Sequence, residues 1–164
     1  MTVFTTLAGR QFDYLDPKNI DLRDVALGLS RAPRFAGQTG FMYSVAQHSL
    51  LVAKLCRFRL YALIHDAQEA FLCDLPTPAK EALRALGSEA YDELEDRMYR
   101  AICKAVNLPA RWPVSVKLAD TLAYRIEVAH FREGKPDPKL AQILSLPNGG
   151  KEAWLRAVNR ERKK

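Results

Sequence analysis

The chain has 164 residues, 48% hydrophobic and 27% charged, enough apolar matter for one packed core and too much for a disordered segment. Its 25 lysines and arginines outnumber 19 acids, and the net charge of +6 favours acidic ligands without naming one. No apolar run approaches the ~20 residues of a membrane helix, and Met1–Thr6 lacks the basic start and apolar stretch of a signal peptide, so a cytoplasmic chain without a membrane partner is expected.

The first segment, from Val3 to Leu15, has β-branched and aromatic residues on both sides of Ala8-Gly9, the pattern of a short hairpin. Asp21 then caps a helix to about Leu29, and Pro33, Gly37 and Gly40 mark a loop. Ser44-Val-Ala-Gln47 reads as a capping box, opening a helix to about Arg57 with Val45, Leu51, Val52 and Leu55 at core spacing. The next helix is expected from about Leu60 to Cys73, because Asp74-Leu-Pro-Thr-Pro78 cannot continue it. A short helix over Ala79–Leu86 ends at Gly87, and Ser88 is placed as the cap of a longer one to about Asn107.

Pro113 opens the helix that carries Asp120 to about His130. Pro136, Pro138 and Pro147 make the following stretch loop-rich, and Glu152–Arg162 forms a last amphipathic helix. Its basic end, Arg160-Glu-Arg-Lys-Lys164, is an ordinary solvated tail more readily than a nucleic-acid contact. Three cysteines without paired spacing, Cys56, Cys73 and Cys103, fit free thiols in a reducing compartment, in or near the core. The fold class is therefore all-α, one domain over residues 1–164, with a short N-terminal β-hairpin.

The chemistry starts at His65-Asp66, which follows Leu63-Ile64 and so emerges from apolar surroundings. A buried carboxylate needs a neutralising partner, and either a cation or an arginine would serve Asp66. Alone, such a pair is more often an ordinary polar feature of a core. Two further residues shift that balance. His48 lies among Ala46, Leu50, Leu51 and Val52, and Asp120 lies in Lys117-Leu-Ala-Asp-Thr-Leu-Ala, each a ligand-type side chain on a different apolar helix. Two imidazoles and two carboxylates suit one divalent transition ion, Co, Mn, Zn, Ni or Fe. His130 is left as structural or exposed, so no histidine remains for a second ion.

The arrangement His48 … His65-Asp66 … Asp120 resembles the signature of HD-domain metal-dependent phosphohydrolases. The segments Ser44–Ser49, His65–Lys80 and Lys117–Asp120 are similar to bacterial 5′-deoxynucleotidases and phage dATP triphosphohydrolases, over roughly Gly9 to Glu127. The resemblance implies a catalytic role for Glu69, one helical turn past His65, and a positioning role for Asp74. It also implies phosphate contacts from Arg31 and, around it, Arg34, Lys80 and Lys117. The small-molecule substrate is then a nucleotide, cleaved at its α-phosphorus. Bacterial deoxynucleotidases carry a tryptophan after the arginine, where this chain has Ala32, so the resemblance leans toward a dNTP triphosphohydrolase of the dATP type.

Three readings stay open beside it. One is a 5′-deoxynucleotidase acting on monophosphates. Another is hydrolysis of a different phosphoester, such as an alarmone, although the acidic motif of alarmone hydrolases is not evident. The third is a non-catalytic helical module binding nucleic acid or a partner through the basic tail, for which Glu69 would be dispensable. Relatives of this kind often assemble into homo-oligomers; the sequence leaves the oligomeric state open, with the amphipathic last helix and its Trp154 as one surface that could supply a contact.

Overall fold

Asp21 accepts from the Arg23 amide and starts α1, Leu22–Arg31, as its capping side chain requires. The computed structural model describes residues 2–164 and is helical throughout, apart from one two-stranded hairpin. That hairpin pairs β1, Val3–Thr5, antiparallel with β2, Gln11–Asp13, in register Val3–Asp13, Phe4–Phe12 and Thr5–Gln11. Gly9, at φ +76°, makes its turn. The all-α class and the short hairpin are both as expected.

The capping box also holds. Ser44 Oγ accepts from the Gln47 amide at 3.1 Å, while Gln47 Oε1 accepts from the Ser44 amide at 3.0 Å. The helix it opens, α2, Val45–Leu55, is buried on nearly all sides, with Val45, Ala46, His48, Leu51 and Val52 inaccessible. A helix apolar around most of its circumference belongs at the centre, and α2 packs against α1, α3 (Arg59–Ile64), α7 (Val114–Glu133), α8 (Pro138–Leu144) and α9 (Lys151–Glu161). Between α3 and α7 run α4, Glu69–Leu72, α5, Thr77–Ala85, and α6, Ala90–Ala105.

Four expectations need correction. The helix anticipated over Leu60–Cys73 is two helices, with His65–Gln68 forming tightened turns in which Ala67 bonds back to Ile64 and Glu69 to Asp66. Ser88 does not cap α6; its amide instead donates to Leu83 O, closing the end of α5, and Glu89 occupies the cap position. The proline-rich stretch contains α8, capped by Asp137, which accepts from the amides of Lys139 and Leu140. Cys73 is exposed, whereas Cys56 and Cys103 are buried.

Trp154 is not a contact surface either. It is wholly buried, and its indole N–H donates to Leu63 O at 2.8 Å, tying α9 to the helix that ends at His65. Burying such a side chain contributes several kcal/mol by area, so Trp154 anchors α9 to α3, and the exposed side of α9 is carried instead by Arg156, Asn159 and Arg160.

The hairpin and α1 clamp α4 from two directions. Phe12 stacks edge-on against Phe71 at 4.9 Å between ring centres, and Tyr14 donates to Phe71 O at 2.8 Å. Arg10 joins hairpin to α1 through a two-pronged pair with Asp24, at 2.7 and 2.8 Å. On the other side, the α1 backbone at Gly28 lies so close to α4 that a Cβ there would sit 2.2 Å from Ala70 O. Neither backbone can yield without displacing its helix, so Gly28→Ala is expected to cost about 1–3 kcal/mol, as an overpacked core does. Urea unfolding measures it, and an unchanged midpoint would mean that α4 is not held there.

Candidate metal centre

Three elements bring the four expected ligands together. His48 comes from the second turn of α2, His65 and Asp66 from the tightened turn after α3, and Asp120 from the second turn of α7. Asp120 Oδ1 lies 3.1 Å from His48 Nε2 and 3.8 Å from His65 Nε2. Asp66 Oδ2 lies 3.1 Å from His65 Nε2 and 3.5 Å from His48 Nε2. Ligand atoms of His48, His65 and Asp120 all lie within 4.8 Å of one another, which a single ion bonded at about 2.0–2.3 Å can span.

The tautomers follow from what holds each ring. His65 Nδ1 faces the carbonyl oxygen of Ala62 at 2.8 Å, and a carbonyl only accepts, so that nitrogen carries the proton. His48 Nδ1 donates to Glu127 Oε1 at 2.5 Å. Both Nε2 atoms are thereby turned to the cluster, and both are buried without a properly aligned hydrogen-bond partner. An orphaned pair of imidazole nitrogens beside two carboxylates, each ring steadied through its other nitrogen, fits a divalent ion. The side chain of Asp120 is 34% exposed against 0% for His48, so ligands enter past Asp120.

The electrostatics agree with the fit. Glu69, Asp74 and Glu127 join Asp66 and Asp120 around the cluster, with Arg34 the cation buried in their midst. Arg34 reaches Glu127 at 3.4 Å, Asp66 at 3.7 Å and Asp74 at 3.8 Å. Burial opposes its charge, yet those carboxylates, Glu127 first, hold its pKa above the ordinary guanidinium value. Arginine thus answers part of the charge on Asp66, and the acid surplus remains to be met by a further cation.

Glu69 is buried, its Oε2 has no partner, and its pKa is pushed well above the usual carboxyl range by burial and then by the charges of Asp66 and Asp74. Asp74 is also raised, chiefly by burial, with Arg34 opposing. Asp120 is held below the usual range because the two imidazoles outweigh its desolvation. Residues beside this cluster carry backbone strain: Phe35 and Ala36, next to Arg34, and Cys73, next to Asp74, all have positive φ, with Cys73 at φ 66° and ψ 160°. Such conformations cost an L-residue energy and collect where a site dictates the chain's path.

The expected phosphate contacts separate. Arg34 is in the cluster. Arg31 is exposed at the end of α1, and Lys117 is exposed one turn before Asp120. Lys80 lies nearby but is already paired with Glu95 at 2.8 and 3.1 Å. Glu127 is the site residue that sequence reasoning missed. Its signal was present: an acid between Ile126 and Val128, seven residues beyond Asp120 and thus two turns along the same face.

Two lobes of about 440 Å³ each border the site, one at Asp66 and the other at Arg34 and Asp74. One is lined by Asp66, Gln68, Lys80, Tyr99, Arg111 and Trp112. The other is lined by Arg34, Phe35, Asp74, Thr77, Tyr124 and Arg132. Among the described residues, no helix is long and apolar enough to cross a membrane.

No family model matches the chain. It is 40% identical to an uncharacterized protein of Rhodobacter capsulatus over 167 aligned residues, covering 85% of this chain and 83% of that protein. The chain belongs to its family. The uncharacterized protein YfdR of Escherichia coli K12 is a further relative, 34% identical over 131 residues, with 77% of this chain and 71% of YfdR covered. Neither description assigns the family an activity, so the reading of the site rests on its chemistry.

Proposed function

We propose that the protein is a metal-dependent phosphohydrolase of the HD-domain type, acting on deoxynucleotides, with a dNTP cleaved to triphosphate and nucleoside. The observation that carries this is the convergence of two orphaned imidazole nitrogens with Asp66 and Asp120, beside the buried and unpartnered carboxyl of Glu69. His48, His65, Asp66 and Asp120 would hold one divalent cation. Bound there, such an ion supplies Lewis acidity toward a phosphate ester.

The remaining work falls to the chain's own groups. Arg34, kept charged by the neighbouring carboxylates of Glu127, Asp66 and Asp74, is placed to balance charge that develops on the phosphoryl oxygens. Glu69 enters the reaction protonated and can deliver that proton to the departing 5′-oxygen. Asp74, 3.8 Å from Arg34, fixes the guanidinium. The lobe holding Arg132 and Thr77 has room and positive charge for a polyphosphate tail, which supports a triphosphate over a monophosphate.

The test is elemental analysis of the purified protein joined to a product screen. We expect close to one transition ion per chain and release of intact triphosphate from dNTPs in the presence of Mn or Co. Orthophosphate from dNMPs alone would move the reading to a 5′-deoxynucleotidase. No bound ion and no product from any nucleotide would end it.

A further inference from the structure

The lobe on the Trp112 side is poorly suited to phosphate, because its lysine is already neutralised by Glu95 and its Arg111 is engaged with the Tyr61 hydroxyl and ring. Trp112 itself is 46% exposed, an unusual state for the largest apolar side chain. Nor is it loosely placed. It lies on the connection between α6 and α7, where Tyr99 donates to Arg111 O at 3.0 Å and Tyr61 donates to Pro109 O at 3.2 Å. Arg111 Nε in turn donates to the Tyr61 hydroxyl at 3.1 Å. The indole meets the Tyr99 ring at 5.9 Å and stands edge-on to His65 at 5.8 Å. A fixed loop therefore presents an open indole beside a candidate metal ligand.

A second observation points into the same lobe. Gln68 is only 6% exposed, yet its Oε1 has no hydrogen-bond partner. A buried amide left unpaired is costly, and it borders the cavity that Trp112 walls. A platform for a planar ring and an unsatisfied amide at its edge together describe a receptor for a heteroaromatic base carrying donor and acceptor groups.

We propose that the substrate's nucleobase stacks on Trp112 with a polar edge toward the Gln68 amide, while the phosphates run past the metal centre to the Arg132 lobe. This rests on the nucleotide reading above and adds to it which lobe takes the base. Charge supports that orientation: Arg132 in the far lobe has no carboxylate partner among the described residues, while on the Trp112 side Lys80 is paired with Glu95 and Arg111 is held against the hydroxyl and ring of Tyr61.

The two tryptophans make the test direct, since Trp154 is wholly buried and Trp112 alone is open to a ligand. Deoxynucleosides and deoxynucleotides titrated into the zinc-loaded full chain should quench tryptophan emission, and base-free 2-deoxyribose 5-phosphate should not. Trp112→Ala should raise KM for a dNTP by about 5- to 100-fold, the range for losing one base stack, and Trp112→Phe should recover most of it. Gln68→Ala should raise KM with the quench retained. Hydrolysis of dNTPs without quenching, or a KM unchanged within twofold in Trp112→Ala, overturns the base site and leaves the hydrolase reading intact. Quenching by nucleosides in a protein that hydrolyses no nucleotide keeps the base site and removes the hydrolase. The titration on the unaltered chain decides the matter even where a variant fails to fold.

Discussion

Replacing Glu69 by Gln is expected to lower kcat by about 10²–10⁴, the usual worth of a positioned proton donor, while metal content stays at the wild-type level. The glutamine keeps the shape and fills the same buried space, but it cannot give up and retake a proton. Glu69 lies one tightened turn beyond Asp66, its amide bonded to Asp66 O at 3.1 Å, so backbone placement survives the change. Measuring kcat with KM and bound metal on the same preparation separates the roles. A loss of metal in parallel with activity would make Glu69 a support for the ion rather than a proton carrier. Full activity would leave the site without its acid.

The same variant has a stability signature. Burial and the neighbouring charges of Asp66 and Asp74 raise the Glu69 carboxyl in the folded protein above its unfolded value. Between those two values the native state binds more protons than the unfolded chain, so stability falls as pH rises through that window. Glutamine has nothing to ionise. Metal-free Glu69→Gln should therefore gain on wild type as pH climbs from 5 toward 8, and a constant difference in urea midpoint across that range would contradict a buried protonated Glu69.

What was legible in the sequence was local. The Ser44–Gln47 box and the Asp21 cap are written within four residues each, because the hydrogen bonds they make close within one turn. The ligand types at His48, His65, Asp66 and Asp120 were legible for a related reason: each interrupts an apolar helical face, and a polar group on such a face must have a partner. Choosing among arginines was not legible. Arg31 and Arg34 are three residues apart, and only the path of the chain after Ala32, with Phe35 and Ala36 in left-handed conformations, decides that Arg34 turns inward. Helical periodicity places Glu127 on the same face as Asp120, but its partner His48 lies 79 residues away in sequence, and only the packing of α2 on α7 pairs them. Tightening at His65–Gln68 was hidden as well, since its residues are compatible with an ordinary helix.

Cation affinity should fall steeply with acid, and both imidazoles set the slope. Burial on its own would depress the pKa of His65, but Asp66 and Asp120 more than offset it and push the value up to about 10. His48 is raised too, with burial and Arg34 opposing and Glu127 and Asp120 prevailing. Without an ion, His65 therefore holds a proton on Nε2 near neutral pH, because its Nδ1 already donates to a fixed oxygen, and His48 is shifted in the same direction. An ion needs both lone pairs, so binding must expel the proton on His65 and whatever fraction of one His48 carries. Each proton released changes the apparent affinity about tenfold per pH unit, so His65 sets a slope of at least about tenfold per unit, and His48 steepens it toward about 100-fold. Asp66 and Asp120, held below the usual carboxylate range, are already ionised and add no slope. Competition with a metal indicator at several pH values between 6 and 7.5 measures the slope, and calorimetry in two buffers of different ionisation enthalpy counts the protons. An affinity that is flat across that interval would mean that the imidazoles do not ligate, whatever else the acidic groups attract.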